Sequence, residues 1–325
     1  MSNRPSVSVI IPFYNGQDFV SGAVENLKNQ DFCDFEIILV NDGSVDNTAQ
    51  ELENVKQKNL NLDITIINKE NGGVSTARNK AIDIAKGEWI CFVDDDDVPS
   101  NDYISTLLSA VTKYETKLAF GLFTREYKEL NKQTSAQEKV YENKSFLREF
   151  LYNGINYHHC AAIFNRSLFE DGTRYPEGQK YSEDVHLLWR LLSVNDKVVV
   201  VEKPIYFYSF NPNSAMNKKM TLDRLGAVKL MKELEPFIEK NAREFYPEYK
   251  NYVVARHNWS ILWQAAGSFN SYKEFLEYVG NFDMNSELKK LYSYPSKKVT
   301  LTSRLFNFSP FAYYILMRIY VRYFK

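Results

Sequence analysis

The chain has 325 residues, enough for two domains or for one large domain with an appendage. Its 40 Lys and Arg against 41 Asp and Glu leave a net charge of −1, which argues against a simple polyanion binder and against nucleic acid as a partner. Apolar residues at 44% and charged residues at 25% exclude wholesale disorder and a multi-span membrane protein. In chain order, residues 7–14 (VSVIIPFY) form a nearly continuous apolar, β-branched run, as a parallel strand buried on both faces requires. Residues 18–30 follow with Phe19, Ala23, Val24 and Leu27 at helical spacing, and residues 35–40 (FEIILV) are a second buried strand. The pattern repeats with a helix near 46–58, a strand at 63–68, a helix at 74–86 and a strand at 89–93. This alternation predicts an α/β domain with a doubly wound, mostly parallel sheet and right-handed crossovers.

Such sheets bind ligands beyond the carboxyl ends of their strands, and all four strands end in polar residues. The ends read Phe13-Tyr14-Asn15-Gly16, Asn41-Asp42-Gly43-Ser44, Asn68-Lys69-Glu70-Asn71-Gly72-Gly73 and Asp94-Asp95-Asp96-Asp97. Four adjacent carboxylates repel one another unless a cation compensates, and hard oxygen donors select Mg²⁺ or Mn²⁺. An acidic turn capping a helix that begins near Pro99 to Tyr103 accounts for one or two of these aspartates, not four. Gly72 and Gly73 let the backbone approach a phosphate at a helix N-terminus, and Arg78 lies one turn in, so the segment reads as a diphosphate site. There is no GxxxxGK[ST] loop and no GxGxxG after the first strand, which excludes a P-loop and argues against a dinucleotide fold. Cys33, Cys91 and Cys160 are odd in number and far apart, so they read as core thiols rather than a disulfide framework or zinc site. The first residues show no secretory leader pattern, and the expected location is the cytoplasm.

The segments VSVIIPFYN, FEIILVNDGSVDNT, ENGGVSTARNKAI, GEWICFVDDDD and KYSEDVHLLWRLL, in that order over residues 7–209, resemble glycosyltransferase family 2. These are inverting GT-A enzymes that use nucleotide-activated sugars. The resemblance implies that Pro12, Tyr14 and Asp42 cradle the base, usually uracil, with Arg78 beside the nucleotide. It places the family's DxD on Asp94, Asp95 and Asp96: Asp94 and Asp95 at the nucleotide, Asp94 meeting the ribose, Asp96 and Asp94 on the metal, and Asp97 in support. The family's later Glu-Asp pair falls on Glu183 and Asp184, Asp184 being the expected general base and Glu183 the next candidate. Acids in a helix's first turn are also ordinary partners of the helix dipole. Many relatives have Asp where this chain has Asn41. No histidine follows Asp184 in the position of a third metal ligand. His158 and His159 either approach the acceptor or metal or form a packed pair, while His186 and His257 read as structural. The implied reaction moves a sugar from a UDP-sugar to a hydroxyl of a glycan or lipid-linked acceptor in bacterial surface polysaccharide synthesis. The rival readings are a nucleotidyltransferase, which typically has a basic glycine-rich loop after its first strand, and a non-catalytic sugar-nucleotide or polysaccharide-binding protein of the same fold.

Residues 127–143 are polar without periodicity and read as a loop or hairpin on the acceptor side. KVVVVEKPIYFYSF reads as two short strands divided at Lys203-Pro204, and NPNSAMNKK as a polar loop closing over the donor. Helical patterns begin at 221, so the expected domains are 1–215, catalytic, and 216–325, helical. Residues 288–325 contain no Asp or Glu and carry +8, leaving −9 for the rest. Pro310, Arg318 and Arg322 interrupt the apolar tail too often for a bilayer span. With Arg318, Arg322 and Lys325 on one helical face, residues 303–325 read as a peripheral contact at the inner face of the cytoplasmic membrane, or as a helix packed on its own domain or on a second subunit of a homo-oligomer.

Overall fold

The apolar runs of the first hundred residues become strands because both of their faces are covered. A computed structural model describes residues 5–130, 132, 136–211 and 220–324. In it β1 (Val7–Phe13) is buried at every position, and only Phe35 of β2 (Phe35–Asp42) is less than fully buried. Helices α1 (Val20–Lys28), α2 (Thr48–Lys58) and α3 (Val74–Ile84) alternate with β3 (Asp63–Lys69) and β4 (Trp89–Phe92). The strands lie side by side in the order β3-β2-β1-β4, all parallel. Their carboxyl ends therefore share one rim, as the strand–helix alternation predicts.

Beyond β4 the sheet becomes mixed. After the two-residue β5 (Val98–Pro99) and α4 (Tyr103–Tyr114) come β6 (Leu118–Thr124), β7 (Glu138–Glu142), α5 (Phe146–Asn153), β8 (Ala162–Asn165), α6 (Glu183–Val194) and β9 (Lys197–Phe207). The order continues β4-β8-β6-β9-β5, with β8 antiparallel to both neighbours and β6 parallel to β9. Two local expectations are corrected here. Part of the segment 127–143 is not a loop or hairpin but the edge strand β7, antiparallel to β9 from Glu138↔Val201 to Glu142↔Lys197. The two strands expected around Lys203-Pro204 are one strand: β7 pairs β9 up to Val201 and β5 pairs it from Tyr206, so the N–H that Pro204 lacks falls between the two. On the other side Pro204 faces Leu122 at a register shift in the ladder. The donor-side loop expected at 211–219 lies outside the described residues from 212 onward.

The described residues up to Gly178, with Glu183–Asn211, form one compact unit; Gln179–Ser182 and the described residues from Met220 form a second. The second is helical: α7 (Arg224–Glu233), α8 (Glu235–Asn241), α9 (Tyr246–Glu248), a π turn leading into α10 (Val254–Ser268), then α11 (Tyr272–Val279), α12 (Met284–Lys290), α13 (Lys297–Phe308) and α14 (Pro310–Phe324). Its core is aromatic, with Phe275 against Phe306, Tyr313 and Tyr314. Tyr103, Tyr175, Tyr206, Tyr249 and Tyr313 are fully buried, so much of the chain's aromatic content fills cores. Of the cysteines expected in cores, Cys91 and Cys160 are buried, whereas Cys33 is exposed in the turn before β2.

Two glycines make opposite predictions. At Gly87, just before β4, a Cβ would stand 2.5 Å from the backbone nitrogen of Ser8 in β1, which cannot move without opening the ladder. Gly87→Ala is expected to cost ~1–3 kcal/mol and lower the urea midpoint. Gly22 is exposed on α1 with nothing near a Cβ, so Gly22→Ala should gain ~0.5–1 kcal/mol in the same assay.

Candidate active site

The loops at the rim are tied together before any ligand arrives. Asn15 takes a left-handed conformation, its N–H donates to Ser44 Oγ at 2.9 Å, and its side-chain oxygen accepts from the N–H of Val45 at 2.9 Å. Asn41 donates to Asn68 Oδ1 at 2.9 Å and accepts from the N–H of Ser44 at 3.0 Å, so this residue fastens β2 to β3 and to its own loop. Asp42 is buried; it pairs with Lys69, its register partner on β3, and accepts from the N–H groups of Gly72 at 3.0 Å and Gly73 at 2.8 Å. The two glycine amides thus face Asp42. Pro12 is buried in β1 opposite Val40, and Tyr14 beyond it is 55% exposed, an aromatic surface open at this rim.

The acidic turn sits at the end of β4. Asp94 is paired through Oδ1 with Arg78 Nη2 at 2.7 Å, and its N–H donates to Tyr206 Oη at 3.0 Å. Asp95 lies against Gly16, where a Cβ would meet its Oδ2 at 2.4 Å, so the ends of β1 and β4 touch. Asp96 accepts from Asn211 Nδ2 at 2.7 Å, and Asp97 accepts from the N–H of Ser209 at 2.8 Å. The electrostatics are unbalanced. Burial opposes charge on Asp94, but Arg78 outweighs it and holds the carboxyl down at about 2. Burial and the neighbouring carboxylates push Asp95 up to about 8, burial and Asp94 do the same to Asp97, and burial raises Asp96. Asp97 Oδ2 is buried with no hydrogen-bond partner among the described residues. Excess carboxylate of this kind, with hard oxygen donors and one spare buried lone-pair site, fits a Mg²⁺-type cation.

Arg78 is the junction of the site. Its side chain is 4% exposed; Nη1 meets Glu183 Oε1 at 3.3 Å while Nη2 holds Asp94, and the guanidinium lies 5.2 Å from the centre of the Tyr175 ring. Glu183 and Asp184 open α6 immediately after Ser182, a non-glycine residue at φ 62. Burial and the neighbouring Asp184 raise the Glu183 carboxyl, against the pull of Arg78. Asp184 accepts from the N–H of Val185 at 2.7 Å, and the buried His159 places Nδ1 3.6 Å from Asp184 Oδ2. That distance is a close electrostatic approach rather than a hydrogen bond. Burial works against charge on Asp184, but His159, His158 and the Val185 N–H together hold it well below the usual carboxylate range. Burial, followed by His159, lowers His158 to about 4, so it is neutral at pH 7. His159 Nε2 lies 3.2 Å from Cys160 Sγ. His158, His159 and Cys160 also bring their donor atoms within 4.8 Å of one another, a softer set than the carboxylates.

The structure therefore brings Arg78, Asp94, Glu183 and Asp184 together and keeps Asp42, Gly72 and Gly73 as a separate cluster on the same rim. Of the two readings open for His158 and His159, the structure shows a packed pair with His159 beside Asp184, whereas Lys69 on Asp42, and Tyr206, Ser209 and Asn211 around the acidic turn, carry no marked role in the sequence reading. Lys69 alone had a usable signal, standing at the end of β3 level with Asp42 at the end of β2.

Removing the guanidinium leaves two carboxylates facing each other. Arg78→Met is expected to destabilise the protein by ~3 kcal/mol at neutral pH, the low end for a broken buried pair because Asp94 retains some solvent access. Asp94 is depressed from 3.8 to about 2, so the stability it supplies is present above 3.8 and lost towards 2. The deficit of the variant in urea melts should accordingly shrink as pH falls through that window.

With this geometry in hand, the relatives are informative. The profile of "Glycosyl transferase family 2" matches residues 8–173. Glycosyltransferase GlyA of Streptococcus pneumoniae is 28% identical over 294 residues, 83% of this chain and 40% of GlyA. The minor teichoic acid biosynthesis protein GgaB of Bacillus subtilis is 28% identical over 84% of this chain and 31% of its own length. The chain thus spans less than half of these two relatives. Among solved structures, S. aureus TarS 1–349 in complex with UDP-GlcNAc superposes with a TM-score of 0.64 at 17% identity, over 98% of this chain and 93% of that one. The mannosyltransferase PcManGT of Pyrobaculum calidifontis, in complex with GDP-Man and Mn²⁺, gives 0.55 at 17% identity, over 99% and 88%. The shared architecture is the GT-A fold, and the chain belongs to glycosyl transferase family 2.

Proposed function

We propose that the chain transfers a sugar, with inversion, from a nucleoside diphosphate sugar to a hydroxyl of a glycan or lipid-linked glycan, and that the donor is a UDP-sugar. One observation carries the reading: a single buried guanidinium joins Asp94 of the acidic turn to Glu183, next to Asp184. Catalytic carboxylate and diphosphate end of the donor site are thereby set side by side. In this reading Asp184 takes the proton of the acceptor hydroxyl while that oxygen attacks the anomeric carbon, and the bond to the diphosphate oxygen breaks with its electron pair leaving on the nucleotide. Asp184 enters the reaction ionised because it is held well below the usual range. Glu183 keeps Arg78 turned towards Asp94. Tyr14 and Pro12 receive the base at the open end of β1, with Asp42 fixing the loop below it and Gly72 and Gly73 closing that loop. Asp96, with Asp94, Asp95 and Asp97 around it, would hold Mg²⁺ or Mn²⁺, which when bound offsets the charge of the leaving diphosphate. The bacterial surface polymer as acceptor rests on the similarity to GgaB, a minor teichoic acid biosynthesis protein.

Asp184→Asn should keep donor affinity and lose transfer by ~10²–10⁴-fold, since its amide retains the shape but cannot take a proton. Near-normal turnover with a defined acceptor would return the role to Glu183. The anomeric configuration of the product, read by NMR, should be inverted relative to the donor. Calorimetry should show UDP affinity falling at least ~10-fold on EDTA treatment or in Asp96→Asn, while UDP binding that ignores both would remove the metal from the account.

A further inference from the structure

The C-terminal helix is apolar on two opposite sides, and its own unit covers one of them. Tyr313, Tyr314 and Met317 of α14 are buried in the helical unit. Tyr314 Oη donates to the carbonyl of Phe269 at 3.0 Å, and Arg318 Nη1 reaches the carbonyls of Gly267 and Phe269, the frayed end of α10, at 3.4 and 3.2 Å. Arg318 is therefore turned into the protein, not outward with Arg322 as helical spacing alone suggests. The opposite side carries Phe311, Ile315, Leu316, Ile319 and Tyr323, from 42% to 69% exposed, with Arg322 among them. At ~100° per residue these positions occupy about 140° of arc. Along its length α13 exposes Lys297, Leu301, Arg304 and, next to the corner into α14, Phe308, again basic and apolar together, with Phe308 89% exposed.

A helix face of this composition is not a solvated face. No helix among the described residues is long and apolar enough to cross a membrane, and α14 with 15 residues is ~22 Å long against a hydrocarbon core of ~30 Å. Two occupants remain, a lipid surface and a second copy. Charge decides between them. Residues 288–325 contain no acidic side chain, so a two-fold contact through this stripe would set one basic stripe against another with no carboxylate from the segment to answer it. An anionic bilayer supplies that opposite charge over the whole stripe while taking up the rings and branched chains.

We propose that the exposed stripe of α14, together with the basic end of α13, docks this chain onto an anionic lipid surface, with the helix lying in the interface and its other side still packed on the protein. Packing and membrane contact are then two faces of one helix rather than alternatives. The contact belongs to the helical unit and does not depend on which sugar is moved.

The test is co-sedimentation of the full chain with vesicles of phosphatidylcholine alone or mixed equally with phosphatidylglycerol, beside a triple variant Ile315→Gln, Leu316→Gln, Ile319→Gln. All three side chains are exposed, so the variant should keep its circular dichroism and melting temperature, and these are checked first. Wild type should partition onto the anionic vesicles, and binding should fall about tenfold in the variant and weaken as salt rises from about 0.1 to about 0.5 M. Equal partitioning of variant and wild type, or none of the wild type on anionic vesicles at low salt, would overturn the proposal. So would light scattering that shows a wild-type dimer and a monomeric variant without vesicle binding, which would assign the stripe to a second copy.

Discussion

A guanidinium removed from water has to be neutralised where it lies, and Arg78 is neutralised by two carboxylates that are far apart in the first unit's sequence. Asp94 stands in the turn after β4 and Glu183 begins α6, 89 residues later in a chain of 325. Neither partner is dispensable, because an unpaired buried charge costs more than the pair contributes. The consequence is geometric. Once Arg78 is placed by α3, packed on β1 and β2, the acidic turn and the start of α6 must meet at its two nitrogens, and Asp184 follows Glu183 into the same space. His159, delivered by the turn before β8, closes the other side of Asp184.

The same arithmetic of charge leaves the acidic turn unbalanced. One guanidinium cannot answer four aspartates, and burial and mutual repulsion keep Asp95, Asp96 and Asp97 reluctant to ionise. In the proposed reaction, a divalent cation and a diphosphate would add charges of both signs here, and the repulsion among these carboxylates would favour their binding. The loop after β2 is arranged differently. Asp42 has Lys69 and two glycine amides, and its job in this state is to hold the loop between β3 and α3 in place.

What could be read from the sequence follows from how local the cause is. β1 to β4 were legible because burial on both faces demands unbroken apolar runs, and the acidic turn because four adjacent carboxylates have few uses. β7 was not: as an edge strand with an exposed, charged surface (EKVYE), it has no apolar alternation to detect. β9 was divided at Pro204 because a proline inside a strand is acceptable only where neighbouring strands leave its nitrogen unpaired, a fact of the sheet and not of the segment. His159 and Arg318 show the same limit. One faces Asp184 across 25 positions and the other caps a helix about 50 positions earlier, contacts that helical or strand spacing does not encode.

On the proposed reading, the turn from Asp94 to Asp97, anchored by Arg78, is where metal and nucleotide diphosphate meet. Crystals grown with UDP and Mn²⁺, with diffraction recorded at the manganese edge, test it most directly. The account predicts an anomalous peak against Asp96 and its neighbours, with the uracil over Tyr14 and the diphosphate between that peak and Arg78. A peak among His158, His159 and Cys160, or ordered UDP away from the ends of β1 and β4, would contradict it.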